Sequence, residues 1–153
     1  MAIKSFQAPK QELKKEYNAP MLVSDYMTSK LVTFKTDQSI LEVMEQFIKY
    51  RISGGPVLDE KGMLAGIISE ADCMKQISES RYFNMPILDK SVANFMTKNV
   101  ETIPHDMTIF DAASAFHKNN RRRLPVLQNG RLVGQISRKD IVVAALKLSS
   151  QNW

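Results

Sequence analysis

The chain contains few of the residues from which disulfides, metal sites and membrane spans are built. It has one cysteine, Cys73, so no intrachain disulfide can form, and a small buried thiol in the reducing cytoplasm is expected. Its two histidines, His105 and His117, lack metal-ligand spacing to Cys or Asp. No apolar run approaches the ~18 residues of a membrane span. No nucleophile–base set is present, so we do not expect an enzyme.

The charge of the chain gives a weak indication of its partners. The 21 Lys and Arg residues exceed the 16 Asp and Glu residues by five, which slightly favours anionic ligands. Nucleic-acid binding would use Arg121–Arg123 and the basic stretch Gln11–Tyr17, but the charge is not concentrated on one element and no binding motif is present. Nucleic acid and membranes are therefore not expected partners. Residues 1–17 also lack the apolar segment of a secretory signal.

Two segments of the chain, 23–72 and 92–140, are copies of one unit. They align with an offset of 69 residues, which shortens to 68 after a hairpin turn, and 17 aligned positions are identical. Each copy is too small to bury its own apolar face well, so the copies should pack together and form clefts between them. The predicted organisation is an arm over 1–20, repeat one over 21–80, a linker over 81–90, repeat two over 91–149 and a tail over 150–153.

Both copies predict the order β-α-β-β-α, which gives an α/β (α+β) fold of two repeats with pseudo-two-fold symmetry. In copy one we expect strands at Leu31–Phe34, Pro56–Leu58 and Leu64–Ser69, and a second helix at Glu70–Glu79. Ser39 should cap the first helix, which stops at Gly54-Gly55. Its buried stripe should comprise Ile40, Val43, Met44, Phe47 and Ile48. In copy two the matching features are a strand at Glu101–Ile103, a cap at Thr108 and a hairpin at Asn129-Gly130.

The last helix, Lys139–Leu148, is apolar nearly all round. A helix of this kind is buried on more than one side, against the other copy or a second subunit. Together with the stripe Ile40, Met44 and Phe47, it carries more apolar surface than one chain should expose, and we therefore expect a homodimer.

A serine and an aspartate three residues apart follow the last strand of each copy, as Ser69/Asp72 and Ser137/Asp140. A carboxylate in the first turn of a helix can accept both hydroxyls of a ribose. The same pair can instead be a capping box that only satisfies helix N–H groups. The duplication favours neither interpretation, because a structural cap would also be duplicated.

Three consecutive arginines, Arg121–Arg123, stand between a helix and a strand of copy two. A guanidinium group can donate two parallel hydrogen bonds to the oxygens of one phosphate, so this run could hold a phosphorylated ligand. It could also be a solvated cluster that complements the end of the preceding helix. The aligned residues of copy one, Ile52–Gly54, are not basic, so the fold does not require arginine here.

These motifs together resemble those of the cystathionine-β-synthase (CBS) domain. The matching pieces are Met27-Thr28, Gly55-Pro56-Val57 and Gly66–Asp72 in copy one, and Met96-Thr97, Leu124-Pro125-Val126 and Gly134–Asp140 in copy two. The resemblance covers residues 22–148 as a tandem pair, called a Bateman module. It implies a regulatory sensor of AMP, ADP, ATP or a related adenosyl compound, without a catalytic role, that joins into a homodimer and signals to an effector protein.

The resemblance also implies two ligand clefts, each shared by both copies. The first would combine Ile67, Ser69 and Asp72 with Arg122, Arg123, Leu124 and Pro125. The second would combine Ser137 and Asp140 with Val32, Ser53, Gly54, Gly55 and Pro56. Aspartate would bind ribose, apolar residues would sandwich adenine, and arginines would bind phosphate. Glu70 would place a negative charge beside the first cleft, and Arg138 and Lys139 would supply positive charge to the second. The alternative function is a ligand-free dimerisation scaffold.

Overall fold

The computed structural model describes residues 21–83 and 90–151, where each copy forms a three-stranded sheet with helices. Copy one consists of helix α1 (Val23–Tyr26), strand β1 (Phe34–Lys35), helix α2 (Ile40–Tyr50), strand β2 (Gly54–Leu58), strand β3 (Leu64–Ser69) and helix α3 (Glu70–Phe83). Copy two consists of a 3-10 turn (Val92–Asn94), strand β4 (Ile103–Pro104), helix α4 (Ile109–Asn119), strand β5 (Arg123–Gln128), strand β6 (Arg131–Ser137) and helix α5 (Arg138–Gln151). The predicted arm lies outside the described residues, as does most of the predicted linker.

The two sheets have the same topology. In copy one, β1 runs parallel to β2 and β2 runs antiparallel to β3, giving the order β1-β2-β3; copy two repeats this as β4-β5-β6. The parallel pair is connected through a helix and the antiparallel pair through a tight turn, as such pairs require. The predicted mixed fold with the order β-α-β-β-α is confirmed.

Helices α2 and α4 begin at their predicted caps. The Ser39 hydroxyl accepts a hydrogen bond from the Glu42 N–H at 3.2 Å, and the Thr108 hydroxyl accepts one from the Asp111 N–H at 3.1 Å. Each bond satisfies one of the N–H groups that a helix start leaves without a partner.

The predicted stop of helix α2 at Gly54-Gly55 is wrong. The helix ends at Tyr50, and Arg51 follows in the left-handed conformation with φ 54°. Gly54 and Gly55 instead open strand β2, where a Cβ on Gly55 would stand 2.8 Å from the Val32 carbonyl oxygen. These glycines therefore permit close backbone packing, a role that local sequence does not distinguish from helix termination.

Three further sequence predictions are corrected at the ends of elements and on the helix surface. Strand β1 covers only Phe34–Lys35 instead of Leu31–Phe34, and strand β4 is Ile103–Pro104 instead of Glu101–Ile103. Ile48 is 81% exposed, so it lies outside the buried stripe. Ile40 and Phe47 are buried in the core of copy one, so neither is available to a second subunit.

The short segments that precede the copies are exchanged between them. Val23, from the start of copy one, is fully buried in the core of copy two, and its N–H donates to the Met107 carbonyl at 2.8 Å. Val92, from the start of copy two, is fully buried in the core of copy one, and its N–H donates to the Gln38 carbonyl at 2.8 Å. Neither core is complete without the other copy, so the two copies form one structural unit.

Helix α5 is only partly covered. Ala144 is buried, whereas Val142 is 55% and Leu146 65% exposed. The described residues therefore do not bury this helix on more than one side. No helix among the described residues is both long and apolar enough to cross a membrane.

Candidate ligand-binding site

The Ser-x-x-Asp pairs form capping boxes at the starts of helices α3 and α5. The Asp72 Oδ2 accepts hydrogen bonds from the Ser69 N–H at 2.9 Å and from the Ser69 hydroxyl at 3.0 Å, while the Asp72 N–H donates to the Ser69 Oγ at 3.3 Å. In copy two, the Ser137 N–H donates to the Asp140 Oδ2 at 2.8 Å and the Asp140 N–H donates to the Ser137 Oγ at 3.2 Å. Both pairs thus cap their helices.

The capping geometry leaves each carboxylate able to bind a ligand. Asp72 and Asp140 are half-buried, and the hydrogen bonds of their carboxylates to the rest of the described chain all involve Oδ2. Oδ1 therefore keeps its capacity to accept hydrogen bonds from hydroxyl groups. The caps also fix the direction of the carboxylates, because each is tied to the last residue of a strand.

Strand pairing places the other predicted residues beside these caps. Gly54 pairs with Ser69 and Pro56 with Ile67 in copy one, and Val32 lies against Gly55. In copy two, Arg123 pairs with Ser137, Leu124 with Ile136 and Pro125 with Gln135. Leu124, Pro125, Gly55 and Pro56 are buried, whereas Ser53, Arg122 and Arg123 are exposed.

A cleft of about 570 Å³ connects the two copies near the start of helix α3. Its polar lining comes from Arg51, Ser53 and Glu70 of copy one and from Arg123 of copy two, over an apolar base that includes Phe47 and Ile52. Arg123 thus lines the same cleft as residues of copy one, although Ser69 and Asp72 themselves do not line it. The predicted sharing of the ligand between the copies stays a prediction. Ser53, which the resemblance placed in the second cleft, lies with Arg123 in this one. Arg51 was missed, because nothing in its local sequence distinguishes it from a solvated helix-end residue.

A second cleft, of about 400 Å³, lies at the equivalent position of copy two. It is lined by Ala113, Phe116, His117, Asn120, Arg138, Ile141 and Val142. Phe116, Asn120 and Arg138 align with Phe47, Arg51 and Glu70 of the first cleft. Because these lining residues of the two clefts align, the second cleft can be predicted from the first. The clefts carry charges of opposite sign at one aligned position, where copy one has Glu70 and copy two has Arg138.

Arg138 binds the loop that carries the arginine run. Its guanidinium donates hydrogen bonds to the Arg121 carbonyl and to the Asn120 Oδ1, the latter at 2.9 Å. Both acceptors are neutral oxygens, so the positive charge of Arg138 remains, and the side chain also lines the cleft of about 400 Å³ in copy two. The expectation that Arg138 supplies charge to the second predicted cleft stays a prediction. Lys139 is exposed beside Arg138.

The three arginines of the run are not equivalent. The Arg121 Nε lies 3.4 Å from the Glu101 Oε2, and the Glu101 Oε1 accepts a hydrogen bond from the Asn119 side chain at 2.7 Å. Within the described residues, the side chains of Arg122 and Arg123 form no hydrogen bond or ion pair. Two of the three guanidinium groups thus remain available to an anion.

Cys73 is buried on helix α3 next to Asp72, as expected for a small core residue. Burial, and then the negative charges of Asp72 and Glu70, raise the pKa of its thiol. The thiol is therefore protonated near neutral pH. The described residues contain no cluster of His, Cys, Asp and Glu able to hold a metal ion.

The comparison with known proteins identifies the family. The sequence matches the CBS domain over residues 23–79 and 92–147, which are the two copies. The chain belongs to the CBS-domain family. Its residue pairs Ser69/Asp72 and Ser137/Asp140 lie within the two matched segments.

Solved structures with this fold include CBS pairs in complex with adenosyl compounds. The structure of CBSX2 in complex with AMP has a TM-score of 0.73 and 28% identity, covering 84% of this chain and 98% of that one; CBSX2 comes from Arabidopsis thaliana. The CBS domain pair of protein MJ0100, in complex with 5′-methylthioadenosine and S-adenosyl-L-methionine, has a TM-score of 0.68 and 29% identity, covering 84% of this chain and 98% of that one. The tandem CBS pair expected from the sequence is confirmed.

Relatives by sequence place CBS pairs both in small proteins and in large enzymes. An uncharacterized protein of Methanocaldococcus jannaschii, MJ1426, is 34% identical over 82% of this chain and 92% of its own length. The inosine-5′-monophosphate dehydrogenase of Aquifex aeolicus is 33% identical over 89% of this chain but only 26% of the enzyme. The chain therefore matches about a quarter of that enzyme.

Proposed function

We propose that this CBS pair is a regulatory module that binds an adenosyl compound such as AMP, ADP or ATP. The observation that carries the proposal is one cleft lined by Arg123 of copy two and by Ser53 and Glu70 of copy one, in which Glu70 directly follows Ser69 of the cap. A ligand there would contact both copies at once. The adenosyl ligands of the similar CBSX2 and MJ0100 pairs support this choice.

The chemistry of the site divides between three kinds of residue. The free carboxylate oxygens of Asp72 and Asp140 accept hydrogen bonds from ribose hydroxyls, which are charge-assisted and stronger than neutral ones. Val32 and Ile67, which are apolar and half-buried beside the caps, cover the adenine ring. Leu124, Pro56 and Pro125 are fully buried in the described structure. Arg122 and Arg123 bind phosphate, and the exposed Ser53 contacts the ligand beside them.

The module transmits ligand binding through other proteins or through its own assembly. Five apolar side chains on the two C-terminal helices of the copies are at least 40% exposed: Met74, Ile77, Val142, Val143 and Leu146. Exposed apolar surface of this kind is typical of an interface. We therefore include a homodimer in the proposal, formed through these helices. Light scattering would detect it as a mass near twice the 17.4 kDa of one chain, and Leu146→Asp should shift the mass towards the monomer.

Thermal unfolding with a panel of ligands tests the proposal and separates it from the alternative of a ligand-free scaffold. The panel consists of adenosine, AMP, ADP, ATP and S-adenosylmethionine, with guanosine monophosphate as control. A ligand at 100 times its dissociation constant stabilises a protein by about 2.7 kcal/mol. At least one adenosyl compound should raise the unfolding temperature. If none does, the scaffold function replaces the proposed one.

A further inference from the structure

The cleft between the copies contains two arginines and one carboxylate. Arg51 lies at the end of helix α2, Glu70 at the start of helix α3, and Arg123 comes from copy two. The net charge of these three side chains is +1. A single phosphate group placed among them would be attracted, whereas a chain of phosphates would bring several negative charges close to Glu70.

Arg51 occupies a backbone conformation that does not favour arginine. Its φ is 54°, in the left-handed region that costs most residues about 1–2 kcal/mol. The equivalent residue of copy two is Asn120, with φ 51°, and asparagine tolerates this region far better. Since the backbone favours asparagine at this turn, the arginine at position 51 indicates a use for its side chain, which lines the cleft.

Glu70 is held beside the same cleft by the fold. Its N–H donates to the Ser53 carbonyl at 2.9 Å, which joins the start of helix α3 to the loop that follows Arg51. The equivalent residue of copy two is Arg138, whose N–H makes the same bond to the Arg122 carbonyl at 3.1 Å. The backbone contact is thus common to both copies and independent of the side chain, so the negative charge of Glu70 is specific to this cleft.

We propose that this cleft selects ligands with one phosphate, because Arg51 and Arg123 bind that phosphate while Glu70 repels any further ones. The inference rests on the proposed function for the adenosyl part of the ligand. It adds Arg51 and Glu70 as residues that determine specificity, and it makes a nucleoside monophosphate the preferred class over a triphosphate.

Calorimetric titration of adenosine, AMP and ATP into four proteins tests this selection. The proteins are wild type, Glu70→Gln, Arg51→Asn and the control Lys49→Gln, which removes a nearby charge that does not line the cleft. Glu70→Gln should raise the affinity for ATP by about three- to tenfold more than the affinity for AMP. Arg51→Asn should lower the affinity for AMP by a similar factor and leave adenosine unchanged. Because asparagine suits the left-handed backbone, the variant should fold, and circular dichroism checks that it does.

The outcomes separate this inference from the proposed function. Equal affinity changes for AMP and ATP in Glu70→Gln, or an unchanged ratio of AMP to adenosine affinity in Arg51→Asn, would overturn the selection while leaving adenosyl binding intact. The same holds if Lys49→Gln shifts the ratios as much as the two cleft variants do. Failure of wild type to bind any adenosyl compound of the thermal-unfolding panel would overturn both proposals.

Discussion

Gly66 of copy one lies directly against Met96 of copy two. A Cβ on Gly66 would stand 2.9 Å from the Met96 sulfur and 2.5 Å from the Thr97 carbonyl oxygen. The equivalent Gly134 lies equally close to Met27 and to the Thr28 carbonyl. The Met-Thr and glycine motifs, which the sequence presents as separate, are thus two sides of one contact between the copies.

This contact predicts a large loss of stability for Gly66→Ala. The added methyl group meets a backbone oxygen that cannot move without breaking the pairing of Ile67 with Thr97, whose two hydrogen bonds are 3.0 and 2.8 Å long. We expect the free energy of unfolding to fall by about 1–3 kcal/mol, as overpacking costs in other cores. Urea denaturation measures it. The control is Gly62→Asn, because asparagine tolerates the φ of 78° and a Cβ there meets only the Arg131 side chain. Equal stability of Gly66→Ala and wild type would show that the Thr97 backbone and the Met96 side chain can move aside at little cost in free energy.

The capping boxes predict a second loss of stability. Asp72→Ala removes the acceptor of two hydrogen bonds from Ser69 and should lower the free energy of unfolding by about 1 kcal/mol. Asp72→Asn keeps an acceptor oxygen and should retain part of that stability. Urea denaturation of both variants without ligand is the measurement. If Ala and Asn both match wild type, the cap contributes nothing and the aspartate serves only a ligand.

The free arginines predict a dependence on phosphate. Arg122→Ala/Arg123→Ala should weaken the binding of AMP and ATP more than that of adenosine, because only the phosphorylated ligands use these guanidinium groups. Added salt should weaken the binding of AMP and ATP to wild type more than that of adenosine, because salt screens the attraction between guanidinium and phosphate. Calorimetry at two salt concentrations measures both effects. Equal losses for adenosine and ATP would mean that the run is a solvated face.

The Glu101–Arg121 pair predicts a gain of affinity. Glu101→Gln removes the charge that faces Arg121 at 3.4 Å and leaves a third guanidinium group available to anions. The affinity for ATP should rise by a small factor, of the size expected for an exposed ion pair, while that for adenosine stays constant. Glu60→Gln, an exposed site in the turn between β2 and β3, is the matched control. If the ATP affinity of Glu60→Gln rises by the same factor, the gain comes from the overall charge of the protein and not from the release of Arg121.

The raised pKa of the Cys73 thiol predicts low reactivity. A buried, protonated thiol should react with a disulfide reagent at pH 8 far more slowly in the native protein than in urea. The pKa of the Cys73 thiol is higher in the folded state than in the unfolded state. The stability that this difference contributes is therefore fully present below the unfolded-state pKa, and it is lost as the pH rises through the folded-state pKa. Native labelling as fast as in urea would contradict the burial.

The sequence predicted the parts of the fold that local chemistry decides. Ser39 and Thr108 cap their helices through their own hydroxyls, and Asn129-Gly130 turns the chain because both residues accept positive φ, 52° and 77°. The exchange of Val23 and Val92 could not be predicted. A buried valine is equally apolar in either core, and its position in the sequence does not say which copy it packs against.

The candidate site was predictable to a similar extent. The Ser-x-x-Asp pairs and the arginine run are visible as motifs, and the repeat brings them to the junction of the copies. Arg51 and the separate role of Arg121 were not visible, because they depend on a left-handed backbone and on Glu101, 20 positions earlier in the chain. Which charges remain free in a cleft is decided by tertiary contacts.

Calorimetric titration of AMP into wild type and into the Asp72→Ala/Asp140→Ala double variant shows whether the two aspartates bind the ribose of an adenosyl ligand. We expect saturable binding to wild type, and in the double variant a binding free energy weaker by about 1–3 kcal/mol for each lost charged hydrogen bond. Circular dichroism establishes that the variant is folded. Wild-type affinity in the folded double variant, or no binding of AMP by wild type, would rule out AMP binding through these carboxylates.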